Sequence, residues 1–183
     1  FGGDLYGSFF GGEYDLFKVR YTYLQGWRVY ETEGGGHHRL KLNFSTDWSV
    51  PFGDTATTPI FERYFAGGRN LRGFEFREVG PRSNGSAEGG QFRSLLSLEY
   101  TIPLTDRRRG IGFDLVFFTD QGTNLEEASD LSWDLWRVTL GFGLAIGFGG
   151  PQQPPLHIDF GFAVKSVPTD IEQVVSFSFR RDF

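Results

Sequence analysis

The feature that most constrains this chain is a strict alternation between large apolar residues and small or polar ones. It is clearest at residues 136–148, where one parity holds Trp136, Val138, Leu140, Phe142, Leu144, Ile146 and Phe148. The other parity holds Arg137, Thr139, Gly141, Gly143, Ala145 and Gly147. Because successive side chains of a β-strand point to opposite sides, this segment predicts a strand with one wholly apolar face.

The same alternation recurs along the chain and predicts an all-β fold of about eight antiparallel strands in one domain, 1–183. The predicted strands are 4–10, 13–30, 37–50, 91–103, 110–120, 133–148, 155–165 and 172–183. Gly, Pro, Asn and Asp separate them, as turns between antiparallel strands require. The tract 51–90 is Gly-rich and lacks sustained alternation. A loop of that length is uncommon without a function of its own.

The two faces of these strands suit different solvents. The polar parity collects the charges Lys18, Arg20, Arg39, Lys41, Asp47, Glu99, Asp114, Asp120, Arg137, Asp159, Lys165 and Arg180. Unpaired charges would strongly destabilise a soluble core, whereas a water-filled lumen solvates them. The apolar parity, in a chain with 17% aromatic residues, suits lipid flanked by aromatic girdles. We therefore predict a transmembrane β-barrel; a soluble β-sandwich or a lipocalin-like barrel is the alternative.

Several other classes of protein are disfavoured. No run approaches the roughly 18–20 apolar residues of a transmembrane helix, and the net charge of −5 argues against nucleic acid as a partner. Gly141, Gly143 and Gly147 imitate a nucleotide-binding loop but lie inside a predicted strand. His37 and His38 are not accompanied by the Cys or suitably spaced carboxylates that would complete a metal-ligand set. We predict no cofactor, no metal and no catalytic residue, and hence no enzyme.

The long loop carries the most specific motif. It contains Ala66-Gly67-Gly68, then Arg72-Gly73-Phe74, and ends in Val79-Gly80-Pro81. This resembles the signature of the BamA/TamA superfamily of bacterial outer-membrane assembly proteins, an aromatic-x-Gly-Gly segment followed by an Arg-Gly-Phe/Tyr tip and a Gly-Pro. The resemblance extends to Ser97-Leu98-Glu99-Tyr100 before Pro103, to Phe117-Phe118-Thr119-Asp120-Gln121-Gly122, and to the closing strand that ends on Phe183.

The resemblance implies the C-terminal half of a barrel of about sixteen strands, with the loop folded back into the lumen. It implies that Arg72, followed by Gly73 and Phe74, is the tip that meets Glu99 and Asp120 on the lumen wall. A guanidinium can bridge two carboxylates. From the residues alone, Arg72 is better interpreted as a solvated loop arginine. Glycine at positions such as Gly67 and Gly68 permits turns and close backbone approach.

The resemblance also implies the function, that of a factor which inserts and folds outer-membrane proteins through a weak seam between the first and last strands. Its last strand, with Phe177, Phe179 and Phe183, would carry the targeting signal. The expected partners are outer-membrane lipid and unfolded outer-membrane clients, with accessory lipoproteins or a second barrel half as further candidates. The alternatives are a polypeptide-translocation pore of the two-partner type and a barrel that anchors a fused enzyme.

The predicted strand number raises a question about how the barrel closes. About eight strands can close a small barrel, which leaves little room for a loop of about forty residues. The opening Phe1-Gly2-Gly3 resembles the interior of a longer protein. We expect either that further strands lie elsewhere, that another chain completes the pore, or that the loop lies outside it.

Overall fold

A computed structural model describes residues 2–6, 14–32, 36–105, 110–148 and 154–179. Eight strands form one antiparallel sheet in chain order: β1 (Gly2–Tyr6), β2 (Leu16–Glu31), β3 (His37–Pro51), β7 (Phe92–Pro103), β8 (Gly112–Leu125), β9 (Arg137–Gly147), β10 (Leu156–Lys165) and β12 (Val175–Phe179). Two short pairs accompany it: β4 (Gly73–Phe74) with β11 (Glu172–Gln173), and β5 (Arg82–Ser83) with β6 (Ser86–Ala87). The prediction of an all-β antiparallel fold is confirmed.

Helical structure is limited to single turns in the described ranges. Three 3₁₀ helices cover Ile60–Glu62, Ala128–Asp130 and Trp133–Leu135. None of the helices in these ranges has the length and apolar character needed to cross a membrane.

Some predicted strand ends need correction. The strand predicted at 133–148 begins at Arg137, because Trp133–Leu135 form a 3₁₀ helix. The strand predicted at 110–120 continues to Leu125, since its last inward positions contact the long loop rather than a turn. The strand predicted at 172–183 is divided, because Glu172–Gln173 leave the main sheet to pair with β4. Residues 7–10 and 180–183, including Phe183, lie outside the described ranges.

The register of the sheet keeps the alternation in step from strand to strand. Phe117 of β8 lies opposite Phe142 of β9, which lies opposite Phe160 of β10. The rings of Phe142 and Phe160 stack with their centroids 5.4 Å apart. On the other face, Val116 and Gly143 are paired in the same way and are buried. One face is thus a continuous apolar surface, and the other is covered.

The cover on the inward face is the segment between β3 and β7. Its residues Ala66, Leu71, Phe74 and Val79 are buried together and pack with Leu95 of β7. This burial gives the long loop a small apolar core of its own against the sheet.

The connections differ in length at the two ends of the sheet. The β3–β7 connection and those at 126–136 and 166–174 share one end, while the shorter links at 32–36, 104–111 and 148–155 share the other. Outer-membrane barrels carry their longest loops at one end of the sheet, and the β3–β7 connection lies at such an end here. Within the described residues β1 and β12 are the edges, and the sheet is open.

Candidate functional site

The site is built around Arg72, at the tip of the long loop, whose side chain is almost fully buried. Its guanidinium donates two parallel hydrogen bonds to Asp120 of β8, from Nε to Oδ2 at 2.6 Å and from Nη2 to Oδ1 at 2.9 Å. The backbone N–H of Arg72 also donates to Oδ2 of Asp120, at 3.1 Å. Because the planar fork of arginine matches a carboxylate, this arrangement fixes the direction as well as the position of the tip.

Two further carboxylates complete the cluster. Arg72 Nη1 lies 3.0 Å from Oε2 of Glu99 on β7 and 3.5 Å from Oδ2 of Asp159 on β10. Ser97, also on β7, donates from Oγ to Oδ1 of Asp120 at 2.6 Å. One guanidinium thus contacts strands β7, β8 and β10. Because β9 lies between β8 and β10, these contacts span four adjacent strands of the sheet.

An aromatic ring supports the guanidinium from one side. The Cζ of Arg72 lies 3.4 Å from the centroid of the Phe118 ring, a stacked cation–π contact. Gly141 on the neighbouring strand leaves space for this ring, because a Cβ at that position would overlap it. The glycines on the inward parity therefore make room for the inserted tip.

The charge state of Arg72 follows from its surroundings. Burial by itself lowers the pKa of Arg72, but Asp120, followed by Glu99 and Asp159, raises it above the ordinary value for arginine. The guanidinium is therefore a permanent cation. Removing it would leave three carboxylates together in a buried place, which is far less stable than the paired arrangement.

The remaining predicted loop residues have separate places. Gly73 has a φ of +92°, and a Cβ there would lie 2.7 Å from Thr139 of β9. Phe74 belongs to the buried loop core. Gly67 and Gly68 have φ values of +111° and +66° and lie against residues 75–77 rather than against the charged cluster. They shape the turn that carries the tip.

The predicted targeting residues are not part of this site. Phe177 and Phe179 lie on β12, and both rings are largely exposed. The third predicted residue, Phe183, is outside the described residues.

Asn124, which sequence reasoning missed, ties down the base of the loop. Its Nδ2 donates to the carbonyl oxygens of Tyr64 at 3.0 Å and Val79 at 3.1 Å. These two residues lie on opposite arms of the loop, so one amide holds both arms. Its position, four residues after Asp120 on the same inward parity, was the available signal.

A second arginine attaches the loop at another point. Arg93 of β7 donates from Nη1 to the carbonyl oxygen of Phe65 at 2.7 Å and lies 2.6 Å from Asp47 through Nη2. The inward parity of Arg93 and Asp47 could have indicated this pair, and that of Asp159 its place near Arg72. Within the described ranges, no group of three or more His, Asp or Glu side chains has an arrangement that could hold a metal ion.

A family model described as the Omp85 superfamily domain matches residues 1–183. Among solved structures, the crystal structure of BamA from Haemophilus ducreyi lacking POTRA domains 1–3 is similar, with a TM-score of 0.73 and 19% identity. The match covers 91% of this chain and 35% of that one, so this chain spans about a third of its length. A comparison with curated proteins finds no match.

Proposed function

Because this chain belongs to the Omp85 superfamily, we propose that it is part of a bacterial outer-membrane β-barrel that inserts and folds other outer-membrane proteins. The observation that carries this proposal is the loop buried on the inward face and held there by Arg72. The proposed activity is non-enzymatic, since a template and a shaped wall suffice. Its partners would be lipid along the apolar face and unfolded barrel proteins at a strand edge.

The edge at β12 is where a client strand would bind. β12 pairs with β10 only over residues 156–160, whereas β9 pairs with β10 along almost all of that strand. The other side of β12 has no partner strand in the described residues. An edge of this kind offers backbone N–H and C=O groups to an extended segment, which adds to the sheet by β-augmentation.

The clamped loop would support this process from inside the barrel. A wall that receives a new strand at its edge must hold its curvature while the edge changes partner. Arg72 joins β7, β8 and β10, and β10 is the strand next to the edge. The loop therefore stiffens the part of the wall on which the edge depends.

Reconstitution of the full-length protein into liposomes tests the proposal. An unfolded outer-membrane client should fold faster than in empty liposomes, as measured by the heat-modifiable band on a gel. Arg72→Lys should slow this folding by about tenfold, because an ammonium cannot bridge the carboxylates as a fork does. Arg69→Lys, in the same loop but exposed, is the matched control. Equal client folding with and without the protein would overturn the proposal.

The polar inward face also suits the second candidate, a pore for polypeptide translocation. A pore would show steady ion conductance across a planar bilayer and would leave client folding unchanged. An assembly factor with its loop in place should show little steady conductance and should accelerate folding. The two measurements together distinguish the candidates.

A further inference from the structure

A second segment, 166–174 between β10 and β12, also folds over the inward face and pairs with the long loop. Its strand β11 pairs antiparallel with β4, with Glu172 opposite Phe74 and Gln173 opposite Gly73. The ladder continues by one hydrogen bond, because the N–H of Glu75 donates to the carbonyl oxygen of Ile171 at 2.8 Å. The residues just after Arg72 are thus held by backbone bonds to this segment.

A buried ion pair anchors the segment to the wall. Arg137, the first residue of β9, donates hydrogen bonds to Asp170 from Nε at 2.9 Å and from Nη2 at 2.8 Å. The side chain of Arg137 is only 3% exposed and that of Asp170 only 1%. Oδ2 of Asp170 also accepts the N–H of Val167 at 2.8 Å. Arg137 Nη1 donates to the carbonyl oxygen of Leu135 at 2.7 Å. All three guanidinium nitrogens of Arg137 and both carboxylate oxygens of Asp170 thus take part in hydrogen bonds at the start of a strand.

The same segment leads directly into the edge strand. Gln173 ends β11, the carbonyl oxygen of Val174 accepts the N–H of Gly161 at 2.8 Å, and Val175 begins β12. Gly161 is also where the long loop rests on β10, since a Cβ there would lie 2.8 Å from the backbone N of Gly73. The loop tip, the segment and the edge strand meet at this one residue.

We propose that residues 166–174 form a latch, anchored by Arg137 and Asp170, that couples the position of the loop tip to that of β12. A client that displaces β12 would pull on β11 and so on β4, while release of the tip would free the start of β12. Arg137 and Asp170 are positioning residues in this scheme. The coupling to client insertion rests on the proposed function; the latch itself rests on the geometry.

Cysteine cross-linking tests the latch without reference to activity. These 183 residues contain no cysteine. A Glu75→Cys/Ile171→Cys pair, next in the β4–β11 register, can therefore be joined by a short maleimide cross-linker in outer-membrane vesicles, after any cysteine elsewhere in the full-length protein has been replaced by serine. Asp170→Asn should lower the yield about tenfold, because it leaves Arg137 buried without its carboxylate. Glu78→Asn is a control within the long loop, where Glu78 pairs with Arg82 nearer the surface. An unchanged yield in Asp170→Asn would overturn the latch.

Folding and activity are then measured on the same variants. Only the fraction with the heat-modifiable mobility of a folded barrel is scored, and Arg137→Lys provides a milder variant should Asp170→Asn fold poorly. Coupling predicts that client folding slows in step with the loss of cross-link. Normal client folding despite a lost cross-link would refute the coupling but leave the proposed function standing. If the wild-type protein folds no client, the proposed function fails and the cross-link result still decides the latch.

Discussion

Phe142 and Asp120 lie on neighbouring strands and point to opposite sides of the same sheet. The phenylalanine ring is 44% exposed, and the aspartate is 2% exposed. In a water-soluble protein these values would be expected the other way round. The difference teaches that the two faces meet different media: the outward face suits lipid, and the inward face is buried by a loop that brings its own cation.

The largest expected effect is the loss of loop attachment to the inward face when Arg72 is replaced. Arg72→Ala removes the cation from three buried carboxylates, and we expect it to cost about 3–5 kcal/mol of loop attachment or barrel stability. Proteinase K sensitivity of the long loop and the thermal midpoint in detergent measure this loss. Arg69→Ala, an exposed neighbour in the loop, should change neither. Equal protection of the loop in Arg72→Ala would show that the charged cluster does not hold it.

A charged substitution tests whether the outward face meets the hydrocarbon of a membrane. Phe142 lies at the middle of β9, so Phe142→Arg should destabilise the barrel in lipid by about 2–4 kcal/mol, the cost of arginine near the bilayer midplane. Unfolding by guanidinium in liposomes measures this cost. Phe142→Leu keeps the apolar face and should have a much smaller effect. If arginine were tolerated like leucine, the outward face would not meet hydrocarbon.

The closeness of loop and wall can be tested at Gly161. Gly161→Ala places a methyl group against the backbone of Arg72 and Gly73, and we expect a cost of about 1–3 kcal/mol from overpacking. Hydrogen exchange of the loop amides should report a looser tip. Gly26→Ala is the control, because its Cβ would have no neighbour closer than 4.0 Å. Equal exchange in the two variants would contradict close contact at Gly161.

The smallest expected effect concerns the hydroxyl that supports Asp120. Ser97→Ala removes a 2.6 Å hydrogen bond to its carboxylate and should cost about 1 kcal/mol. The thermal midpoint in detergent is the measure. Ser97→Thr keeps a hydroxyl and should recover most of the loss. A full effect in Ser97→Thr would indicate packing rather than the hydrogen bond.

Much of the fold could be predicted because alternation is a local property. Val138 to Ile146 reveal their strand without any knowledge of its neighbours, since the period of two belongs to the backbone itself. The loop motif around Arg72 led to the family, and the Omp85 model over 1–183 confirms that resemblance. The parity of Glu99 and Asp120 placed both on the inward face, where the structure has them.

Other features could not be predicted because they depend on which segments meet. Glu172 and Gln173 continue the apparent pattern of the last strand, yet they pair with β4 in the long loop. Asp170 lies in a connection whose sequence has no alternation, and only the folded chain brings it to Arg137. Asn124 resembles any polar residue near a strand end until the two arms of the loop reach its amide.

The sequence by itself determined the strands, the polarity of each face and the identity of the loop tip, because these depend on side-chain period and on one contiguous motif. The tertiary structure decided that Asp159 joins Glu99 and Asp120 around Arg72, how the loop base is held, and that a second segment ties the tip to β12. The carboxylates that surround Arg72 lie 27 to 87 positions away from it in the sequence. Their energy depends on exact distance and burial, which no local pattern contains.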